Sequence, residues 1–144
     1  MALQMSYTDD AGNVHENSYW VISDIDIFKK LHNTEDMLRK SLNLAEGESP
    51  EIQAENRLIS KGYYCHITIC GFKSAEDRDN NGKPIAICYN YPTKHSTWFH
   101  AIDRKEIRDL NNFQWDVHSS DTMYQQIYTY LKTLDFWSEA VDVD

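Results

Sequence analysis

The sequence predicts an α+β fold, an antiparallel β-sheet meander covered by C-terminal helices. Residues 61–72 and 84–91 are runs rich in β-branched and aromatic residues, joined by a charged link that ends in the turn signal Asn81-Gly82. Residues 18–28 add a third run of the same composition. Residues 122–134 instead set Met123, Ile127, Leu131 and Leu134 on one stripe at helical spacing.

Taken in order, residues 1–17 are polar, with a turn at Asp9-Asp-Ala-Gly12, and read as a flexible N-terminal arm or a short leading strand. In residues 18–28 the alternation places Val21, Ile25 and Ile27 with Ser23 on one face. Trp20, Ile22 and Phe28 fall on the other with Asp24 and Asp26. Met37, Leu38, Leu42 and Leu44 are spaced as expected for a short amphipathic helix after a Thr34 cap, and residues 51–59 stay open between helix and strand. In the hairpin, Tyr63, Cys65, Ile67 and Ile69 share a face opposite Tyr64, His66, Thr68, Cys70 and Phe72. On the return arm Ile85, Ile87, Tyr89 and Tyr91 oppose Ala86, Cys88 and Asn90.

A turn at residues 92–95 leads to a strand over 96–102, then to a two-turn helix over 103–110 with Ile107 and Leu110 three apart. Phe113, Trp115 and Val117 alternate in the linker. The last helix, opened by Ser119 or Ser120 with Asp121, is expected to seal the face carrying Tyr63, Ile67, Ile69, Ile85 and Ile87. Gln125 lies away from that stripe. An acidic tail over residues 138–144 closes the chain, leaving 18–137 as the single domain expected at this length.

A net charge of -9 argues against nucleic acid or an anionic membrane as partner, and no apolar run reaches membrane-spanning length. Cys65, Cys70 and Cys88 are an odd set without C-x-x-C spacing, which predicts reduced thiols rather than a disulfide framework.

Candidate chemistry is sparse. Asp24 and Asp26 are a carboxylate pair of the kind that runs acid–base chemistry when environment separates the two pKa values, weighed against solvated residues on an exposed strand. His95, His100 and Asp103 are possible metal ligands, but their spacings fit no zinc motif, so no metal is expected. His66 with a cysteine nucleophile is rejected: Cys65 points to the other face and Cys70 is roughly 13 Å along the strand. Tyr63, Tyr64, Tyr89, Tyr91, Trp98 and Phe99 suit core packing, with any exposed remainder suited to a protein interface. No catalytic, cofactor-binding or metal residues are assigned.

Several segments resemble a family of small virion proteins of tailed bacteriophages. They are Tyr7-Thr-Asp-Asp-Ala-Gly-Asn-Val-His-Glu-Asn-Ser-Tyr-Trp20, Phe72-Lys-Ser-Ala-Glu-Asp-Arg78 with Gly82-Lys-Pro-Ile85, and Tyr128-Thr-Tyr-Leu-Lys-Thr-Leu-Asp-Phe-Trp137. They cover about a quarter of the chain, and residues 32–60 look like an insertion relative to the family pattern. The resemblance implies a meander followed by C-terminal helices, with no catalytic residues. It also implies a structural role in the tail, baseplate or neck/connector. The partners it implies are other virion proteins and copies of this chain, as a homo-oligomer or ring, in the virion and in the host cytoplasm during assembly. The alternatives are a small hydrolase-like enzyme using Asp24, Asp26 or His66, and a cytoplasmic binding or assembly module.

Overall fold

Alternation of Leu3, Met5 and Tyr7 with Gln4 and Ser6 is enough to make a strand with one buried face, and the chain uses it from the start. In a computed structural model that describes residues 1–28, 63–91 and 102–143, β1 (Ala2–Thr8) pairs antiparallel with β2 (Val14–Phe28). Residues 1–17 are therefore not a flexible arm: of the two readings, the leading strand holds for residues 2–8. The turn expected at Asp9-Asp-Ala-Gly12 joins the two strands. Asp9 Oδ1 accepts from Asn13 N at 2.8 Å, and Gly12 takes φ 88°, where a side chain would be strained.

Next, β2 pairs antiparallel with β3 (Tyr63–Phe72), and β3 with β4 (Ala86–Tyr89). The expected hairpin is thus present. Its charged link, expected as a turn, contains a short helix, α1 (Ala75–Asp79). The Ser74 side chain caps α1 by accepting from Asp77 N, and Asn81 takes φ 60°, a conformation asparagine tolerates better than most residues.

The two-turn helix expected over 103–110 is replaced by β5 (Asp103–Glu106) and a 3₁₀ turn (Arg108–Asn112). β5 pairs parallel with β4, so the sheet is mostly, not wholly, antiparallel. β6 (Gln114–Trp115) pairs with Tyr63 and Tyr64 of β3. At the other end the expected acidic tail contributes β7 (Val141–Val143), antiparallel to β1, with Lys132 Nζ 2.7 Å from Asp142 Oδ2. The sheet order is β5-β4-β3-β2-β1-β7, with β6 beside β3. The helix in 32–60, the ambiguous stretch 51–59 and the strand over 96–102 lie outside the described residues, apart from Ile102.

Two face assignments change, each for a geometric reason. Register pairs Ile22 with Ile69 but Asp24 with Thr68, so Ser23 is an unpaired bulge residue whose hydroxyl donates to Thr68 O at 3.1 Å. Alternation reverses there. Trp20 and Ile22 before the bulge and Ile25 after it all reach the core, while Asp24 and Asp26 share the outer face. On β4, Ile69 pairs with Cys88 and Gly71 with Ala86, so Ala86 and Cys88 face the core. Ile87 lies on the other side beside Cys70, buried there too. The face that the last helix seals is therefore Cys65/Ile67/Ile69 with Ala86/Cys88, not Ile87.

The last helix is α2 (Met123–Leu131), shorter than expected, followed by a 3₁₀ turn (Asp135–Trp137). Ile127, Tyr128 and Leu131 are buried in the main core, with Met123, Tyr130 and Leu134 packed against it. Thr122, rather than Ser119 or Ser120, is the cap. Its Oγ1 accepts from Gln125 N at 3.2 Å, and Gln125 Oε1 accepts from Thr122 N at 2.8 Å, a complete capping box. Ile127→Ala should lower stability by about 2–4 kcal/mol through lost burial plus a cavity, read as a fall in the urea midpoint at unchanged slope. Gln125 is not the silent position its place off the stripe suggested. Gln125→Ala removes half the box and should cost about 0.5–1 kcal/mol in the same measurement.

Candidate functional site

Polar chemistry gathers in two places among the described residues. The first lies where the β1–β2 turn meets β5. Tyr7 closes the buried alternation of β1, and its hydroxyl donates to Asp103 Oδ2 at 2.5 Å; Asp10 N donates to the same oxygen at 2.9 Å. Burial pushes the Tyr7 phenol far above its ordinary range, and the bond to Asp103 adds to the shift. Asp9 Oδ2 sits 3.0 Å from His15 Nε2, and that bond, with the Asn13 backbone bond, holds the Asp9 carboxyl below its usual range. Lys105 Nζ lies 3.4 Å from Asp10 Oδ1.

Beside these groups is an open cleft of about 400 Å³, lined among others by Lys73, Asp77, Lys83 and Asp103. Asp103 is thus committed to tying β5 onto the first turn. His95 and His100, its proposed metal-binding companions, lie outside the described residues. No cluster of three metal-ligating side chains occurs among the described ones.

The second gathering is the outer face of β2 and β3. The bulge brings Asp24 opposite Thr68 and Asp26 opposite His66, so the three residues of the hydrolase alternative do share one face. His66 is stacked on Tyr91, with ring centroids 4.4 Å apart and planes 5° from parallel. Sequence alternation had set Tyr91 with Ile85 and gave no sign of this stack.

The cysteines are poorly placed for nucleophilic work. Burial drives the Cys65 thiol up to about 11 and the Cys88 thiol higher still. Cys70 is also raised by burial, against a small opposing bond from Ser23. A raised pKa removes the thiolate, the reactive form. All three are free thiols. Iodoacetamide should therefore label the native protein slowly at neutral pH, and label all three cysteines once the chain is denatured without reductant. Rapid labelling of the native protein would contradict the buried placement.

The aromatic residues do not form one surface. Tyr63 packs on Trp115 at 5.5 Å, the Tyr64 hydroxyl accepts from Gln114 Nε2 at 3.1 Å, and Trp98 and Phe99 lie outside the described residues. A different group lies at the start of β1, where a groove of about 390 Å³ is lined by Met1, Tyr19, Val21, Arg78, Tyr124 and Tyr128. Tyr124 is 51% exposed there, and Arg78 sits over the Tyr19 ring with 6.0 Å to the centroid. The Tyr124/Tyr128 spacing of four along α2 was legible in the sequence; their meeting with Tyr19 and Arg78 was not.

Comparison with protein-family models, curated proteins and solved structures found no match. None of the described helices is long and apolar enough to cross a membrane.

Proposed function

We propose that this protein is a non-enzymatic structural component of a tailed-phage virion, in the tail, baseplate or neck/connector. In this reading it works by assembling with other virion proteins and with copies of itself. The observation that carries the binding half of the reading is the groove at the start of β1. Tyrosines and an arginine beside an exposed methionine, Met1, are the composition enriched where proteins bind proteins. The phage half rests on the resemblance of the three segments described above. Tyr7, Asp9 and Asp103 fit the same reading, because each is engaged in holding a strand or a turn.

Mass spectrometry of particles purified from an infected culture tests it. The chain should be present in constant ratio to known virion proteins. Abundance in the lysate with absence from the particles would instead indicate an assembly factor. Tyr124→Ala should reduce incorporation while leaving the unfolding free energy from urea titration within about 0.5 kcal/mol of the parent, as expected for an exposed side chain.

A further inference from the structure

We propose that the edge of β2 beyond β1, unpaired by any strand among the described residues, is a strand-addition site for an extended polypeptide segment that alternates basic and apolar residues; this rests on the assembly reading only for the partner being a protein. β2 runs to Phe28, but the β1 ladder along it stops at Leu3 opposite Trp20. Past that point the Ile22 N–H is accepted by the Tyr128 hydroxyl at 3.0 Å, and no described strand pairs with residues 24–28 on the side away from β3. Alternate backbone N–H and C=O groups of a strand paired on one side face outward on the other, ready for a new ladder. The opposite edge of the hairpin is closed in contrast: beyond β4, the Asn90 amide takes Ile67 N and Cys65 O, and β6 pairs with Tyr63 and Tyr64.

The side chains along this edge state what would fit. Asp24 and Asp26 stand on the outer face, while Ile25 and Ile27 stand on the other, with Ile27 42% exposed. A second copy pairing antiparallel about Ile25 would set Asp24 opposite Asp26 twice, and like charges directly opposite oppose pairing. Lysine or arginine at alternate positions of the incoming strand would meet the aspartates, and the residues between would cover Ile25 and Ile27. At the end of this edge is the Tyr19/Tyr124/Tyr128 groove, which can take an apolar side chain of the same segment.

The test uses the full-length protein at physiological salt and a fluorescein-labelled peptide of alternating lysine and valine. Its controls are an alternating glutamate–valine peptide and a lysine–valine peptide N-methylated at alternate amides. The lysine–valine peptide should bind and slow amide exchange over residues 24–28. N-methylation should weaken it roughly tenfold or more, since backbone bonds are lost. Asp24→Lys with Asp26→Lys should turn the preference to the glutamate peptide, and Asp24→Asn with Asp26→Asn, a near-isosteric pair that guards against misfolding, should weaken binding without reversing it.

Equal binding of the N-methylated peptide would overturn the proposal, because attraction to a chain of net charge -9 would then explain it. So would absence of binding. Protection of the outward amides of 24–28 in the free protein would overturn it as well, showing the edge already covered by another part of this chain or by a second copy. Binding in solution is measured without particles, so it can fail while particle composition still supports a virion role, and the reverse.

Discussion

Trp20→Ala should be among the most damaging single substitutions in this protein, lowering stability by about 3–5 kcal/mol, a large share of the ~5–15 kcal/mol that holds a typical domain together. The indole is fully buried at the meeting point of β1, β2 and the C-terminal 3₁₀ turn. Tyr7, Phe136 and Trp137 all contact it edge-on, with ring centroids 5.3, 5.3 and 6.0 Å away. Its Nε1 donates to Ser18 Oγ at 2.8 Å, and that buried hydroxyl donates to Met5 O at 2.6 Å. Truncation would leave a large cavity and take a partner from a buried hydroxyl.

The same ring explains Gly71, its partner across the β2–β3 ladder. A Cβ at Gly71 would lie 2.7 Å from two ring carbons of Trp20. Gly71→Ala should therefore destabilise the parent clearly and the Trp20→Ala protein much less, a coupling readable in a double-mutant cycle of urea midpoints. Equal effects in both backgrounds would show that the ring does not rest on Gly71.

Asn90→Ala should cost roughly 2–6 kcal/mol, because each of two buried backbone groups left unpaired costs about 1–3 kcal/mol. β4 stops at Tyr89, yet β3 continues along the same line. The Asn90 side chain takes over, with Oδ1 accepting from Ile67 N and Nδ2 donating to Cys65 O, both at 2.8 Å. Asn90→Asp makes a sharper test. An ionised carboxylate can accept from Ile67 but cannot donate to Cys65, whereas the protonated acid can do both. Its folded-state pKa should therefore rise above the ~3.9 of an unfolded aspartate. Stability gained from that bond is present below the unfolded value and falls as pH rises through the folded one. The variant should approach the parent at low pH and lose ground toward neutrality. A constant difference across that range would mean the amide is not placed between these two groups.

The hairpin was legible because β-branched and aromatic arms flank a turn signal, and the α2 stripe because it repeats one period with its buried residues on one side. The readings that failed did so where that condition lapses. Ile87 is fully buried on the outer face while Cys88 is fully buried on the inner one, so hydrophobicity could not say which side of β4 met α2. β5 is Asp-Arg-Lys-Glu, with no apolar residue to mark it; a parallel backbone ladder to β4 makes it a strand, and charges suit an exposed edge. Ile107 and Leu110, three apart, fit a 3₁₀ turn as well as an α-helix. The candidate site was less legible than the fold. Tyr7 and Asp103, 96 positions apart, meet only once β1 and β5 are placed, and the Tyr19/Arg78/Tyr124 groove draws on three elements.

The bulge at Ser23 makes β2 two strands in series whose inside–outside phases are set independently. Because Ser23 has no partner across the ladder, a chain lacking it could pair Ile22 with Ile69 and its next residue with Thr68 without moving any other side chain to the wrong side. Loss of any neighbour instead, with Ser23 drawn into the ladder, would still rescue the phase downstream. Within the stretch that β2 pairs with β3, this position is therefore a slack link, able to absorb a deletion that at a distant paired position would turn half a strand inside out; a second register shift, between His15 and Ser18, lies on the β1 side. Any alignment of this chain with another should allow its gap there first.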